Sequence, residues 1–113
     1  PDILLALNGP ALNKFLPRMK QKGQLFVNTS LVNKENLLRT DVEIFCAPVT
    51  DLAISLKNEK AANICMLGYF CKKTGLFSCE EFSRSMCEYF DSSGKGKFNK
   101  KNIEAFLAGY NLD

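Results

Sequence analysis

A chain of 113 residues, 46% hydrophobic and 24% charged, has the composition of an ordinary soluble domain with a real core. Its formal charge of +3, from 15 basic and 12 acidic residues, is too small and too scattered for a nucleic-acid footprint. No apolar run reaches the roughly 18 residues of a membrane span, and histidine is absent, which removes Ser-His and Cys-His nucleophile pairs.

The first half reads as strand, helix, strand, strand. Ile3 to Leu7 and Leu25-Phe26-Val27 are continuous apolar runs, the pattern of parallel strands covered on both faces. Between them Leu12, Phe15, Leu16 and Met19 recur at helical spacing, with Asn8 as N-cap and Pro10 in the first turn. Pro17 should stop or kink this helix, and Gly23 should turn the chain into the second strand. Residues 29–41 are polar and irregular, with one turn expected at Asn36 to Leu38. Val42 to Cys46 is the third strand, closed by Pro48.

The second half is helical. Thr50 or Asp51 should cap a short helix reaching Leu56, and Asn58 the next one. That helix runs to about Lys73, where Lys72 and Lys73 suit its negative end and Gly75 supplies the stop. Asn63 is a lone amide among Ala61, Ala62, Ile64, Met66 and Leu67. Unpaired in an apolar setting it would cost roughly 1–3 kcal/mol, so it is expected to be buried and hydrogen-bonded to a loop near Pro48. Ser78 and Glu81 form a capping box, with Phe77 and Phe82 as its staple. Phe82, Met86, Tyr89 and Phe90 should line one face of the following helix. Asn99 should cap a last helix with the stripe Ile103, Phe106, Leu107 and Tyr110. The expected fold is α/β, a three-layer α/β/α sandwich on a largely parallel sheet, forming one domain over residues 1–113.

Candidate sites are few. The five cysteines form no C-x-x-C pair, and four of them lie in predicted helices or a strand among apolar neighbours, which suits buried thiols in a reducing cytosol rather than metal or iron–sulfur ligation. Counting a calcium loop from Asp91 puts Lys95 where an oxygen ligand belongs and Asn102 where the bidentate Glu belongs, so the segment reads as a helix–helix turn. The lysines from Lys95 to Lys101 read as a solvated turn and helix start. Glu80 and Glu81 are explained by capping rather than acid–base work. There is no catalytic or metal-binding residue to assign. What remains is the carboxyl edge of the sheet, where open α/β folds receive ligands. Asn8 and Gly9 end the first strand there, and Asn28, Thr29 and Ser30 end the second. They are the candidate ligand or interface residues.

The string Ala47-Pro48-Val49-Thr50-Asp51-Leu52-Ala53, followed by Asn58 and by Ala61-Ala62-Asn63-Ile64-Cys65-Met66-Leu67-Gly68, resembles the gamma subunit or domain of the 2-oxoacid:ferredoxin (or flavodoxin) oxidoreductases. That is the family of the pyruvate and ketoisovalerate enzymes. Asp2 to Leu7, Leu16 to Val27 and Asn102 to Gly109 resemble the same module in order and spacing, with Pro48, Asn58, Asn63 and Gly68 as its structural markers. The resemblance implies that the chain is the C-terminal two-thirds of a gamma module, lacking a glycine-rich first segment. Leu4, Leu5, Phe26 and Val27 are then expected beside that segment or under another chain. It also implies a cytoplasmic complex of anaerobic metabolism that decarboxylates a 2-oxoacid to an acyl-CoA and passes electrons to ferredoxin or flavodoxin. Thiamine diphosphate, iron–sulfur clusters and coenzyme A are implied for alpha, beta and delta-type partners, with none held firmly here, although the module is expected to help shape the coenzyme A entry. The alternative from the residues alone is a nucleotide- or CoA-binding α/β domain, or an assembly module, outside any enzyme.

Overall fold

The computed structural model describes residues 3–6, 9–32, 39–94, 96 and 99–112. The Asn8 cap and the turn expected at 36–38 lie outside the described residues. Two compact units make up the chain, residues 1–51 and 52–113.

The first unit is built on a parallel sheet. β1 (Ile3–Ala6), β2 (Gln24–Asn28) and β3 (Glu43–Ala47) lie in that order, and β1 is joined to β2 through α1 (Gly9–Phe15). The register sets Leu4, Leu25 and Ile44 side by side, then Leu5, Phe26 and Phe45, then Ala6, Val27 and Cys46. Because strand side chains alternate, the first and third rows share one face with Leu12, Met19, Val32 and Val42. On the opposite face Phe26 and Phe45 stack with ring centroids 4.7 Å apart. Phe26 and Val27, expected to await a further segment, are instead fully buried, because β2 is the central strand. Leu4 and Leu5 on the edge strand β1 are half-buried, and Ile3 is exposed.

Pro17 acts as expected. α1 stops at Phe15 and the chain tightens into a 3-10 turn over Leu16–Arg18. Arg39 ties this turn down: its Nη1 donates to Leu16 O at 2.9 Å, which also accepts from Met19 N, and to Met19 O at 2.8 Å. Its Nε and Nη2 donate to the two Asp41 oxygens at 2.9 and 2.5 Å. Asp41 O in turn accepts from Lys22 N. The left-handed residue of this turn is Lys22, with φ 63°, not the Gly23 that the sequence suggested.

The second unit is helical, and α2 (Val49–Ser55) runs across the boundary in sequence. After α2 comes a 3-10 turn (Glu59–Ala61), then α3 (Ala62–Thr74), α4 (Cys79–Ser92) and α5 (Asn99–Tyr110). Gly75 ends α3 at φ 66°, its N–H donating to Cys71 O at 2.9 Å. Ser78 Oγ accepts from Glu81 N at 3.0 Å, and the Phe77 and Phe82 rings stand 6.0 Å apart as the staple. The Asn99 amide reaches back and donates to Asp91 Oδ1 at 3.0 Å. Two stripe residues face water instead of core: Tyr89 and Leu107 are exposed. α5 turns Ala105, Phe106 and Gly109 inward, because its contact with α3 is made through small residues rather than large ones. A Cβ on Gly68 would overlap the Phe106 carbonyl oxygen and lie 2.8 Å from Tyr110 N. A Cβ on Gly109 would overlap the Cys65 carbonyl oxygen and lie 2.7 Å from its carbon. The two helices therefore touch backbone to backbone. No helix among the described residues is long and apolar enough to cross a membrane.

Two predictions follow from these contacts. Gly68→Ala and Gly109→Ala should each destabilise the chain by about 1–3 kcal/mol or more in denaturant melts, since the obstructing atoms are main chain and cannot swing away. Melts unchanged from wild type would show that the seam is slack. The second concerns pH. The guanidinium of Arg39 donates to Asp41 and holds its carboxyl below the ordinary value of 3.8. Its contribution is therefore full above that value and falls away as pH drops through the lower folded value. Asp41→Asn should be less stable than wild type near neutrality, with the gap closing in acid. A gap independent of pH would contradict the pairing.

Candidate functional site

At the carboxyl edge of the sheet, β2 ends on Asn28, a polar side chain only 1% exposed. Its main-chain carbonyl accepts from Leu31 N at 3.2 Å and Val32 N at 3.0 Å, which turns the chain sharply. Thr29 N extends the ladder by donating to Ala47 O at 3.0 Å. The Asn28 side chain then joins two segments. Nδ2 donates to Thr50 Oγ1 at 2.8 Å, while Oδ1 accepts from Ser30 N at 3.2 Å and from Thr50 N at 3.5 Å. Ser30 Oγ accepts from Asp51 N at 3.0 Å. The first N–H groups of α2 are thus satisfied by side chains from the end of β2. Thr50 and Asp51 receive these caps and do not supply them. Pro48 separates β3 from α2 as expected.

This reverses two expectations. The buried amide bonded to a loop beside Pro48 is Asn28, not Asn63. Asn63 is exposed on α3, because the helix turns Cys65, Met66, Gly68 and Tyr69 inward. Asn58 stands before its 3-10 turn without a side-chain cap, at φ −139° and ψ 64°, outside the extended region that a capping side chain needs. Its backbone serves instead: the N–H donates to Ala53 O and the carbonyl accepts from Ala61 N.

The structure brings Asn28, Thr29 and Ser30 together on the carboxyl edge, and Gly9 opens α1 after β1. Thr29 and Ser30 are half-buried. Asn28 is spent on the fold, so among the described residues at the end of β2 what remains is the Thr29 and Ser30 hydroxyls and main chain. An open groove of about 600 Å³ at the opposite edge, lined by Gln21, Lys22, Thr40, Asp41, Val42 and Glu43, includes the carboxylate already committed to Arg39. That Arg39–Asp41 pair escaped the sequence reading, since a charge pair two residues apart in a polar stretch carries no pattern.

Thiol chemistry fits no better. Burial pushes the Cys65 thiol up to about 11, and burial with Cys79 nearby pushes Cys71 up. Both are held as protonated thiols, poor metal ligands and poor nucleophiles. Among the described residues, no three His, Cys, Asp or Glu side chains are grouped to hold a metal ion. An iron–sulfur cluster therefore does not fit this part of the chain.

Comparison with known proteins adds what the geometry lacks. The sequence pattern of the family described as pyruvate ferredoxin/flavodoxin oxidoreductase matches residues 1–112. The 2-oxoglutarate synthase subunit KorC of Methanocaldococcus jannaschii is 33% identical over 113 residues, which are 99% of this chain and 58% of that subunit. The ketoisovalerate oxidoreductase subunit VorA of Methanothermobacter marburgensis is 30% identical over 96% of this chain and 22% of its own length. Among solved structures, the keto/oxoacid ferredoxin oxidoreductase gamma subunit from Geobacter sulfurreducens superposes with a TM-score of 0.81 at 26% identity. That match covers 96% of this chain and 62% of the other. The 2-oxoglutarate:ferredoxin oxidoreductase from Magnetococcus marinus gives 0.76 at 16% identity over 99% and 20%, a likeness of fold. The chain spans about three fifths of the length of the first of these relatives, at 58%.

The geometry makes a paired prediction. Asn28→Ala leaves the Thr50 and Ser30 partners without their amide and should cost about 1–3 kcal/mol, whereas Asn63→Ala on the exposed helix face should stay within about 0.5 kcal/mol. Equal losses for the two, read from chemical denaturation, would refute this assignment of the buried amide.

Proposed function

Since the chain belongs to the pyruvate ferredoxin/flavodoxin oxidoreductase family, we propose that it is the gamma component of a 2-oxoacid:ferredoxin oxidoreductase. The observation that carries this reading is the agreement of sequence and backbone over nearly the whole chain with a gamma subunit of that class. In this reading the complete enzyme decarboxylates a 2-oxoacid oxidatively to an acyl-CoA in the cytoplasm and passes the electrons to ferredoxin or flavodoxin. Thiamine diphosphate and the iron–sulfur clusters reside in alpha, beta and delta-type partners, and the cofactors do the difficult chemistry.

This chain's own role is structural. Its side chains support assembly better than catalysis: Asn28 is consumed in holding β2 to α2, and Cys65 and Cys71 are protonated. A contribution to coenzyme A entry would fall to the half-buried Thr29 and Ser30, at the carboxyl edge, and to Gly9. The rival reading, a free-standing nucleotide-binding domain, loses its best polar ligand in Asn28.

Reconstitution tests the proposal. Tagged and co-expressed with the remaining subunits under anoxic conditions, the chain should bring down an iron- and thiamine-diphosphate-bearing complex. That complex should reduce a viologen dye only with a 2-oxoacid and coenzyme A present, and the chain alone should not. Turnover by the isolated chain would overturn the assignment, as would its recovery without any cofactor-bearing partner.

A further inference from the structure

The second unit carries an apolar surface that its own core does not use. Ile64 and Leu67 of α3, with Phe82, Ser85, Met86 and Tyr89 of α4, line a groove of about 320 Å³. Its floor is firm, because Phe82 stacks on the fully buried Phe106 at 4.9 Å. Its wall is not covered: Tyr89 is 67% exposed. At one end the surface continues through Phe77, packed against Phe82, to the neighbouring Leu76, and both are about half-exposed or more. A contiguous exposed apolar surface of this kind marks an interaction site in soluble proteins.

The charge around it is one-sided. Along α4 the exposed charged residues are Glu80, Glu81, Glu88 and Asp91 against Arg84 alone. This helix is acidic in a chain whose formal charge is +3. Helical spacing sets Glu81 one turn before the lining residue Ser85 and Glu88 just under one turn after it. On the α3 side Glu59 and Lys60 offset each other, and the exposed Asn63 lies one turn before Leu67. Such a rim repels nucleic acid and anionic membrane. It also disfavours a second copy of the same face, which would set the carboxylates of one α4 against those of the other.

We propose that this groove docks a basic amphipathic helix of a neighbouring subunit or domain. Its apolar side chains fill the space between Leu67 and Met86, and its lysines or arginines meet Glu81 and Glu88. A seam between two packed helices accepts a third helix through anchors spaced by one turn, and Phe82, Met86 and Tyr89 present that spacing. The inference rests on the reading of the chain as an assembly component. It supplies what that reading lacks, the face that assembles and the chemistry of what it meets.

The probe is a labelled amphipathic helical peptide made only of leucine and lysine, with a leucine–glutamate peptide as control. Anisotropy should show the first binding the chain and the second not. Amide chemical-shift changes should fall on the Ile64–Leu67 and Phe82–Tyr89 surface. The double reversal Glu81→Lys/Glu88→Lys, at exposed positions, should weaken binding about tenfold or more with an unchanged circular dichroism spectrum. Met86→Ser should weaken it without altering its salt dependence. Equal binding of both peptides, no effect of the reversal, shifts confined to another surface, binding to phosphatidylserine vesicles, or dimerisation through these residues in sedimentation would each overturn the proposal. The readout needs no partner, cofactor or turnover. Its failure therefore leaves the oxidoreductase reading intact, and a failed reconstitution leaves this result intact.

Discussion

Two helices lie close enough at Gly68 and Gly109 for main chain to meet main chain, and the layout of the helical unit depends on that contact. A side chain at either position would push α3 and α5 apart and empty the space filled by Cys65, Ala105 and Phe106, all fully buried. Because α5 occupies one flank of α3 so tightly, α4 takes another and leans on α5 through Phe82 and Phe106. Ile64 and Leu67 are then left half-buried, lining the groove between α3 and α4. The same economy of space that makes the core dense makes the groove.

In the sheet unit a polar group does the corresponding work. A parallel strand that ends at a buried position must satisfy its last amide and carbonyl groups and still release the chain into a loop. Asn28 does both, accepting turn amides on its carbonyl and reaching across to Thr50 with its side chain. Arg39 solves a similar problem where Pro17 breaks α1, closing the carbonyls of Leu16 and Met19 from a distant part of the chain. Both devices reach the element from outside it: the first amides of α2 are met from the end of β2, and Arg39 adds to the local Met19 N–H bond on the Leu16 carbonyl.

This also explains what could be read from the residues. The three parallel strands, the stop at Pro17, the Ser78 cap with its phenylalanine staple and the Gly75 terminus were all visible, because each depends on neighbours within a turn or on an apolar period. The local pattern pointed to Asn63, a lone amide in an apolar run, rather than to Asn28, which begins a polar turn. Three-dimensional neighbours decided between them: β2 is covered on both sides, whereas α3 has a face left to solvent. The inward side of α5 is legible only in part, for a related reason: Phe106 is buried as its spacing suggests, but Leu107 is exposed. A search for large apolar residues selects Leu107 over Ala105 and Gly109, although close backbone contact requires the small ones. Asn28 does end β2, with Thr29 and Ser30 following, as their order suggests, but the Asn28 amide is committed to Thr50 and Ser30, partners that no local pattern announces.

The placement of the thiols has a further consequence. Oxidation of cysteine to a sulfenic acid needs both a thiolate and access, and Cys65 and Cys71 have neither. An oxidant would meet the half-buried Cys46, Cys79 and Cys87 first, on β3 and α4. Damage would therefore begin at the edge strand and along the helix that forms one wall of the groove, while the α3–α5 seam kept its packing.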